Sequence, residues 1–597
     1  MSDQNLTSSE ALRQKYREER DKRLRKDGND QYIEITDKYS SLDEDPYVEA
    51  GYSRAPLTDE TDVIIIGGGF GGLIAGARLR EAGIGSLRIV ERAGDFGGTW
   101  YWNRYPGAAC DIESYIYLPL LEETGYMPKE KYSRGPEIFE HAQRIAKHYD
   151  LYKNAALQTK VTDVSWDEGA SRWIVRTNHH DEMRAKFIIM SNGPLNRPKL
   201  PGIPGVESFK GHTFHTSRWD YAYTGGDVTG GLDKIGDKRI GIIGTGATAI
   251  QAVPHLAEGA KELYVFQRTP SSVDVRGNHE TDPEFAASLT PGWHKHRMEN
   301  FNTLVSGGYE KEDLVHDGWT KSIREIVFAA ASGKDITKLT PAEFMALSEQ
   351  ADDHKMNSVR ARIEEIVGDR DTAEALKPWY KQFCKRPCFH DDYLPTFNKE
   401  NVHLIDTNGQ GVEAITPKGV VVAGREYELD CIVYATGFEV GTSYTRRAGY
   451  DVTGRNGETL SRAWEEGARS LHGMFVHGFP NLIMLGGVQG GFTANYPHNL
   501  DEQAVHAAYV LSELGARSID VAEPTQAAEQ AWVEEIVAKA MMREDFLAEC
   551  TPGYYNNEGK VEARSRQNTT YGAGSIAYFK ILQKWRDAGA LEGLGLT

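Results

Sequence analysis

Two short glycine-rich stretches are the residues best suited to chemistry. Gly67-Gly-Gly69-Phe-Gly-Gly72 follows the apolar run Asp62–Ile66, and Gly244-Thr-Gly246-Ala-Thr-Ala249 follows Arg239–Ile243. Helical patterns come next, from Leu73 to Ala82 and on to about Leu256. Strand, glycine turn and helix open a dinucleotide-binding βαβ unit. The first glycine permits the tight turn, and the second lets the backbone approach a pyrophosphate. The third, Ala249 in the second copy, lets helix and strand pack closely, with phosphates at the helix N-terminus. Gly67, Gly69, Gly72, Gly244, Thr245, Gly246 and Ala249 are therefore expected to bind cofactor.

The end of the next strand separates the two copies. Leu87–Val90 is followed by Glu91, 19 residues beyond Gly72, where a carboxylate can bind ribose hydroxyls. Leu263–Phe266 is followed by Gln267-Arg268-Thr269, with no acid at that point. A carboxylate there would repel a 2′-phosphate, whereas a guanidinium binds it through charge-assisted hydrogen bonds. The first site thus suits FAD, with Glu91, and the second NADPH, with Arg268 and Thr269. Two such units, 177 residues apart from Gly67 to Gly244, indicate a flavoprotein that binds two dinucleotides.

Elements that position these turns give an α/β fold, two Rossmann-like dinucleotide-binding domains with a helical insertion. Residues 1–55 form a mostly helical N-terminal extension, in which Leu12, Tyr16 and Leu24 make a narrow apolar stripe on a charged surface helix. Residues 56–195 open the FAD domain and 196–275 the NADP domain. From 276 to 383 strand patterns give way to helical periodicity, as at Thr340–Glu349 and Val359–Val367. Residues 384–436 complete the NADP domain, with strands at Gly419–Val422 and Cys431–Tyr434, and 437–597 complete the FAD domain.

Composition excludes several classes. A chain of 597 residues with 40% hydrophobic and 26% charged content is an ordinary globular protein of several domains. A net charge of −19 argues against nucleic acid or an anionic membrane surface as partner. The longest apolar run, Val63 to Ala77, is broken by glycines and too short to span a bilayer. Met1-Ser2-Asp3-Gln4-Asn5 has no signal-peptide character, so a soluble, cytoplasmic protein is expected. Five irregularly spaced cysteines make no disulfide framework. Disulfide reductases share the two-dinucleotide plan but need paired cysteines at the flavin. Here Cys110 is alone, and Cys384-Lys-Arg-Pro-Cys388 lies far along the chain. That pair with His390 lacks a second ligand cluster, so no metal is expected.

Before the second turn stands Phe209-Lys-Gly211-His-Thr-Phe-His215-Thr-Ser-Arg-Trp219-Asp220. It matches FxGxxxHxxxW followed by Pro or Asp, and by it the chain resembles the Baeyer–Villiger monooxygenases. Without that family, His215 and Trp219, four apart, read as core residues of a helical turn. The resemblance runs from about residue 50 to 597. Gly97-Gly98-Thr99-Trp100-Tyr101-Trp102-Asn103-Arg104-Tyr105-Pro106-Gly107 is similar to the segment lining the flavin ring, which implies Thr99, Trp100, Tyr101 and Trp102 as cofactor contacts. Asp111 matches the active-site aspartate, and Tyr117 and Val161 match further FAD contacts. Ala435-Thr436-Gly437-Phe438 resembles the motif joining the two domains. Cys384-Lys385-Arg386-Pro387 resembles the segment carrying the catalytic arginine, Arg386, with Lys385 contacting NADP.

The resemblance implies that NADPH reduces FAD, that O2 adds at flavin C4a and that the resulting peroxyflavin attacks a ketone to give an ester or lactone. Arg386 would supply a permanent cation for the anions formed, and Asp111 would hold its guanidinium. Composition alone reads the same two residues as a structural ion pair. Two departures stand out. Ala109 replaces an arginine carried by many members, and Cys550-Thr-Pro-Gly-Tyr554-Tyr555-Asn-Asn-Glu-Gly559 stands where many have a tryptophan on a mobile substrate loop. With the N-terminal extension, that loop near 550–560 resembles the subgroup acting on large-ring and polycyclic ketones. The expected partners are a small-molecule ketone and O2, with the oligomeric state open. Two alternatives remain: an N- or S-oxygenating flavin monooxygenase, and a non-catalytic FAD/NADPH-binding redox sensor.

Overall fold

The computed structural model describes residues 9–35, 39, 42–49, 51–329, 340–560 and 566–597. Two sheets carry the chain. In the first, Glu60–Ile66 lies parallel between Leu87–Val90 and Glu182–Met190. Its apolar run, Val63 to Ile66, is buried, as expected of a parallel strand covered on both faces. The register sets Ile66 opposite both Val90 and Met190, so the three strands finish together. Val161–Asp167 and Arg172–Thr177 extend this sheet as an antiparallel meander leading into Glu182–Met190. Leu482–Met484 returns late in the chain to pair parallel with Glu182–Met190.

The second sheet has five parallel strands, in the order Val402–Asp406, Glu262–Gln267, Arg239–Ile243, Cys431–Tyr434 and His212–His215. The anticipated strand–turn–helix units form, with Phe70–Glu81 directly after Gly69 and Ala247–Gly259 directly after Gly246. In open sheets of this kind, ligands bind beyond the carboxyl ends of the strands.

Between Val273–Asp274 and Cys388–Phe389, which pair in parallel, the chain leaves the sheets. This excursion is helical, with Trp293–Val305, Gly318–Ala329 and Pro341–Ile366 as its main members. The two helical patterns expected at Thr340–Glu349 and Val359–Val367 belong to one helix. Thr340 and Glu343 close its N-terminus with a capping box, and no glycine or proline lies between to break it. The N-terminal helix is shorter than its charge pattern suggested, covering Ser9–Asp21. Leu12 and Tyr16 are buried, but Leu24 lies past the helix end and is exposed. The chain then runs through Gly28–Gln31 into Tyr32–Ile33, which pairs with Leu200–Pro201.

The cysteines require a correction. Cys384 and Cys550 form a disulfide across 166 residues, while Cys110, Cys388 and Cys431 are free and buried. Among the described residues, no helix is long and apolar enough to cross a membrane.

Candidate active site

Both glycine turns open on one cavity of about 2370 Å³. A single small-molecule pocket typically measures roughly 300–1,000 Å³, so this one has room for more than one ligand. At the first turn Gly67 has φ +110°, and a Cβ there would fall 2.4 Å from the Ser191 carbonyl oxygen. At Gly72 a Cβ would fall 1.9 Å from the Gly67 oxygen, so Gly72 serves helix–strand packing and does not line the cavity. Gly69, Phe70 and Gly71 do line it, and no side chain caps the helix they begin. The second turn repeats this. Gly244 has φ +115° against the Ala435 carbonyl, Gly246 has open space where a Cβ would project, and the helix again has no side-chain cap. Ala249 is fully buried behind the turn. Two uncapped helix N-termini facing open space fit two pyrophosphates.

Glu91 is buried at the cavity edge. Its Oε2 accepts from Gly68 N at 2.6 Å and its Oε1 from Ala93 N at 2.7 Å. Burial pushes its pKa up, against those two backbone hydrogen bonds. Each carboxylate oxygen keeps a further lone pair for a ribose hydroxyl. At the second site the Thr245 hydroxyl donates to the Thr269 carbonyl at 2.7 Å, joining two strand ends on the cavity wall. Arg268 also lines the cavity. Its Nη1 donates to Gln31 Oε1 at 2.9 Å, and its Nη2 lies 3.3 Å from Glu558 Oε2. Burial and the neighbouring charge of Arg268 push the pKa of Lys385 down to about 8.

The aromatic segment and the arginine line the same cavity as the two turns. Trp100 Nε1 donates to the Tyr117 hydroxyl at 3.0 Å, and both rings line the cavity with Thr99, Trp102 and Val161. Tyr101 does not: its hydroxyl donates to Asp45 at 2.7 Å, turning the ring behind the segment, where it packs on Trp102. Arg386 grips Asp111 with both terminal nitrogens, Nη1 to Oδ2 at 2.6 Å and Nη2 to Oδ1 at 2.5 Å. Trp319 Nε1 donates to the Asp111 carbonyl at 3.1 Å, and its ring lies 5.5 Å from the guanidinium. The Asp111 side chain is 6% exposed, but that of Arg386 is 30% exposed and opens on the cavity. Burial works against the Arg386 charge, yet Asp111 holds its pKa well above the ordinary value. A fixed, permanent cation therefore faces the same space as both glycine turns.

The pyridine nucleotide-disulphide oxidoreductase family model matches residues 64–306. Neopentalenolactone D synthase of Streptomyces avermitilis is 53% identical over 594 residues, covering 99% of this chain and 100% of the relative. A Baeyer–Villiger monooxygenase of Streptomyces coelicolor is 49% identical over 578 residues, covering 96% of this chain and 95% of the relative. This chain belongs to the Baeyer–Villiger monooxygenases. Among solved structures, a polycyclic ketone monooxygenase from Thermothelomyces thermophila matches with TM-score 0.91 and 40% identity, covering 98% of this chain and 99% of that one. The complex of OTEMO with FAD and NADP matches with TM-score 0.74 and 30% identity, covering 91% of this chain and 100% of that one.

Within this monooxygenase the fingerprint's His215 and Trp219 are buried and flank a single 3₁₀ turn, as their spacing of four suggested. His215 ends an edge strand of the second sheet, a 3₁₀ turn covers Thr216–Arg218, and Trp219 follows, fully buried. Burial lowers the His215 pKa to about 3, with the charge of Arg218 acting in the same direction. Arg218 lies 3.8 Å over the Trp102 ring, joining the fingerprint to the back of the aromatic segment. Ala109, at the departure noted above, is docked by its backbone: Gln251 Nε2 donates to its carbonyl at 2.9 Å. Sequence reasoning missed Trp319, Gln31, Lys199 and Glu558. Trp319 lies 208 residues from Asp111, Gln31 237 and Glu558 290 from Arg268, and Lys199 359 from Glu558, and only the asparagine-rich turn around Glu558 carried any local signal.

Proposed function

We propose that the chain inserts one oxygen atom of O2 beside the carbonyl of large cyclic or polycyclic ketones, giving esters or lactones. FAD is held on the first turn by Gly67, Gly69 and Glu91, and NADPH on the second by Gly244, Gly246, Thr245 and Arg268. Bound FAD, reduced by NADPH, supplies the activated oxygen. The protein supplies the fixed charge. Oxygen insertion beside a carbonyl builds negative charge on the carbonyl oxygen, and a guanidinium already in place stabilises it without reorganising. Asp111 fixes the plane of that guanidinium through its two-point grip. Trp100 and Tyr117 wall the cavity beside the first turn, where they would hold the flavin ring and keep water from it.

The observation that carries this reading is the Arg386–Asp111 pair, open to the cavity that both turns share. The substrate class rests on two further observations. Three of the seven large apolar side chains exposed among the described residues, Leu195, Phe492 and Tyr554, line that cavity. The matched structure from Thermothelomyces thermophila is named for polycyclic ketones.

Arg386→Ala tests the proposal. The variant should fold and hold FAD, because neither turn is touched. Ester formation should fall at least about 10²–10³-fold, the usual loss of one such group, with the remaining NADPH oxidation ending as hydrogen peroxide. Arg386→Lys should rescue only in part, since an ammonium lacks the planar fork. Ester made at near wild-type rate and coupling by the alanine variant would make Arg386 structural.

A further inference from the structure

Arg268 already holds an anion. Glu558, 4% exposed at its side chain, sets Oε2 at 3.3 Å from Arg268 Nη2 and Oε1 at 3.2 Å from Lys199 Nζ. Lys385 is near enough to interact with the same carboxylate, and all four residues line the one cavity. Lys199, Arg268 and Lys385 bring three positive charges, and Glu558 returns one negative charge. With the carboxylate in place two positive charges are left over, and once it withdraws all three face the −1.5 to −2 of a phosphate monoester at neutral pH.

Glu558 also belongs to a different part of the chain from its partners. It sits in the Tyr554–Gly559 turn, with Asn557 and Glu558 at φ +52° and +56°. That conformation is uncommon for residues other than glycine. The turn also faces the space that Arg386 faces, because Tyr554 lines the same cavity and lies within electrostatic range of that guanidinium. One short turn therefore reaches the phosphate cations through Glu558 and the catalytic cation through Tyr554.

We propose that Glu558 is a positioning residue whose carboxylate competes with the 2′-phosphate of NADPH for Lys199 and Arg268. Arrival of the phosphate releases Glu558 and so shifts the Tyr554–Gly559 turn beside Arg386. This rests on the reading of Arg268 as the 2′-phosphate ligand. A nucleotide without that phosphate brings only a ribose hydroxyl, which cannot replace a carboxylate in two charge-assisted contacts. Such a nucleotide leaves the turn where it is.

The test uses the FAD-loaded enzyme with adenosine 2′,5′-bisphosphate and with 5′-AMP. Calorimetry gives affinities, and hydrogen–deuterium exchange follows residues 554–559. In the wild type the bisphosphate should raise exchange in that turn and AMP should not. Glu558→Gln should bind the bisphosphate about tenfold more tightly, the scale of one charge-assisted hydrogen bond, and AMP as before. Its turn should exchange quickly before any nucleotide is added. Glu558→Asp, which keeps the charge, should move back toward wild-type affinity. Unchanged or weaker bisphosphate binding by Glu558→Gln would overturn the proposal. So would wild-type exchange that ignores the bisphosphate, a result that needs no variant to fold. Arg268→Ala separates the two ideas. If it keeps the preference for bisphosphate over AMP, the reading of Arg268 fails and the competition with it. If it loses that preference while Glu558→Gln gains nothing, only the competition fails.

Discussion

Lys385 carries the clearest pH signature in the site. Burial and the charge of Arg268 set its pKa at about 8, and only the protonated amine can hold a phosphate. The NADPH-bound state thus favours the proton, and affinity should fall as pH rises through about 8. Lys385→Arg, charged throughout, should flatten that alkaline limb. Dissociation constants for NADPH from about pH 7 to pH 10 decide the matter, and a flat wild-type profile would separate Lys385 from the phosphate. Arg268→Ala should cost about 1.5–3 kcal/mol of NADPH binding and leave NADH nearly unaffected. Equal losses for both cofactors would remove Arg268 from the 2′-phosphate. At this scale the sequence is legible where geometry admits few residue types. Gly67 and Gly244 stand with positive φ against a carbonyl, so a strand before and a helix after were enough to find them. Arg268 was found by the missing acid, but its partner Glu558 is 290 residues away and no spacing announces it.

The element proposed to border the substrate side is the segment from Cys550 to Gly559. Its disulfide to Cys384 ties it to the residue next to Lys385 and one removed from Arg386. Protein denatured without reductant should titrate three thiols, those of Cys110, Cys388 and Cys431. Five thiols would contradict the tether. If this segment borders a roomy ketone site, ketones with about ten or more ring atoms, or fused rings, should exceed cyclohexanone in kcat/KM. Each added buried CH2 can contribute up to ~0.8 kcal/mol. A steady fall in kcat/KM with ring size would sink that idea. Elements were legible where the apolar pattern ran unbroken, as in Glu60–Ile66, whereas Pro341–Ile366 reads in the sequence as two separate patterns. The N-terminal helix misled because its charges continue past Asp21, whereas the apolar contacts that hold it stop at Tyr16. The disulfide was invisible because folding, not spacing, brings Cys384 to Cys550.

At the scale of the whole molecule, two sheets present their carboxyl ends to one cavity, and the chain crosses from the first to the second and back. Residues from Glu60 to Met190 and then Val452–Thr453 and Leu482–Met484 build one sheet, and residues from His212 to Tyr434 build the other. Gln251 spans the join, accepting from the Tyr105 hydroxyl at 2.7 Å and donating to the Ala109 carbonyl at 2.9 Å. Two dinucleotide units were readable because each repeats one local pattern, whereas their sharing of one cavity depends on contacts no local pattern encodes. That shared cavity makes the central claim testable in one reaction. A polycyclic ketone is turned over with NADPH under oxygen-18 gas, and product mass is measured against NADPH consumed. The account predicts an ester or lactone with one labelled oxygen for nearly every NADPH oxidised. NADPH oxidised to hydrogen peroxide with every ketone left intact, or an ester free of label, would contradict it.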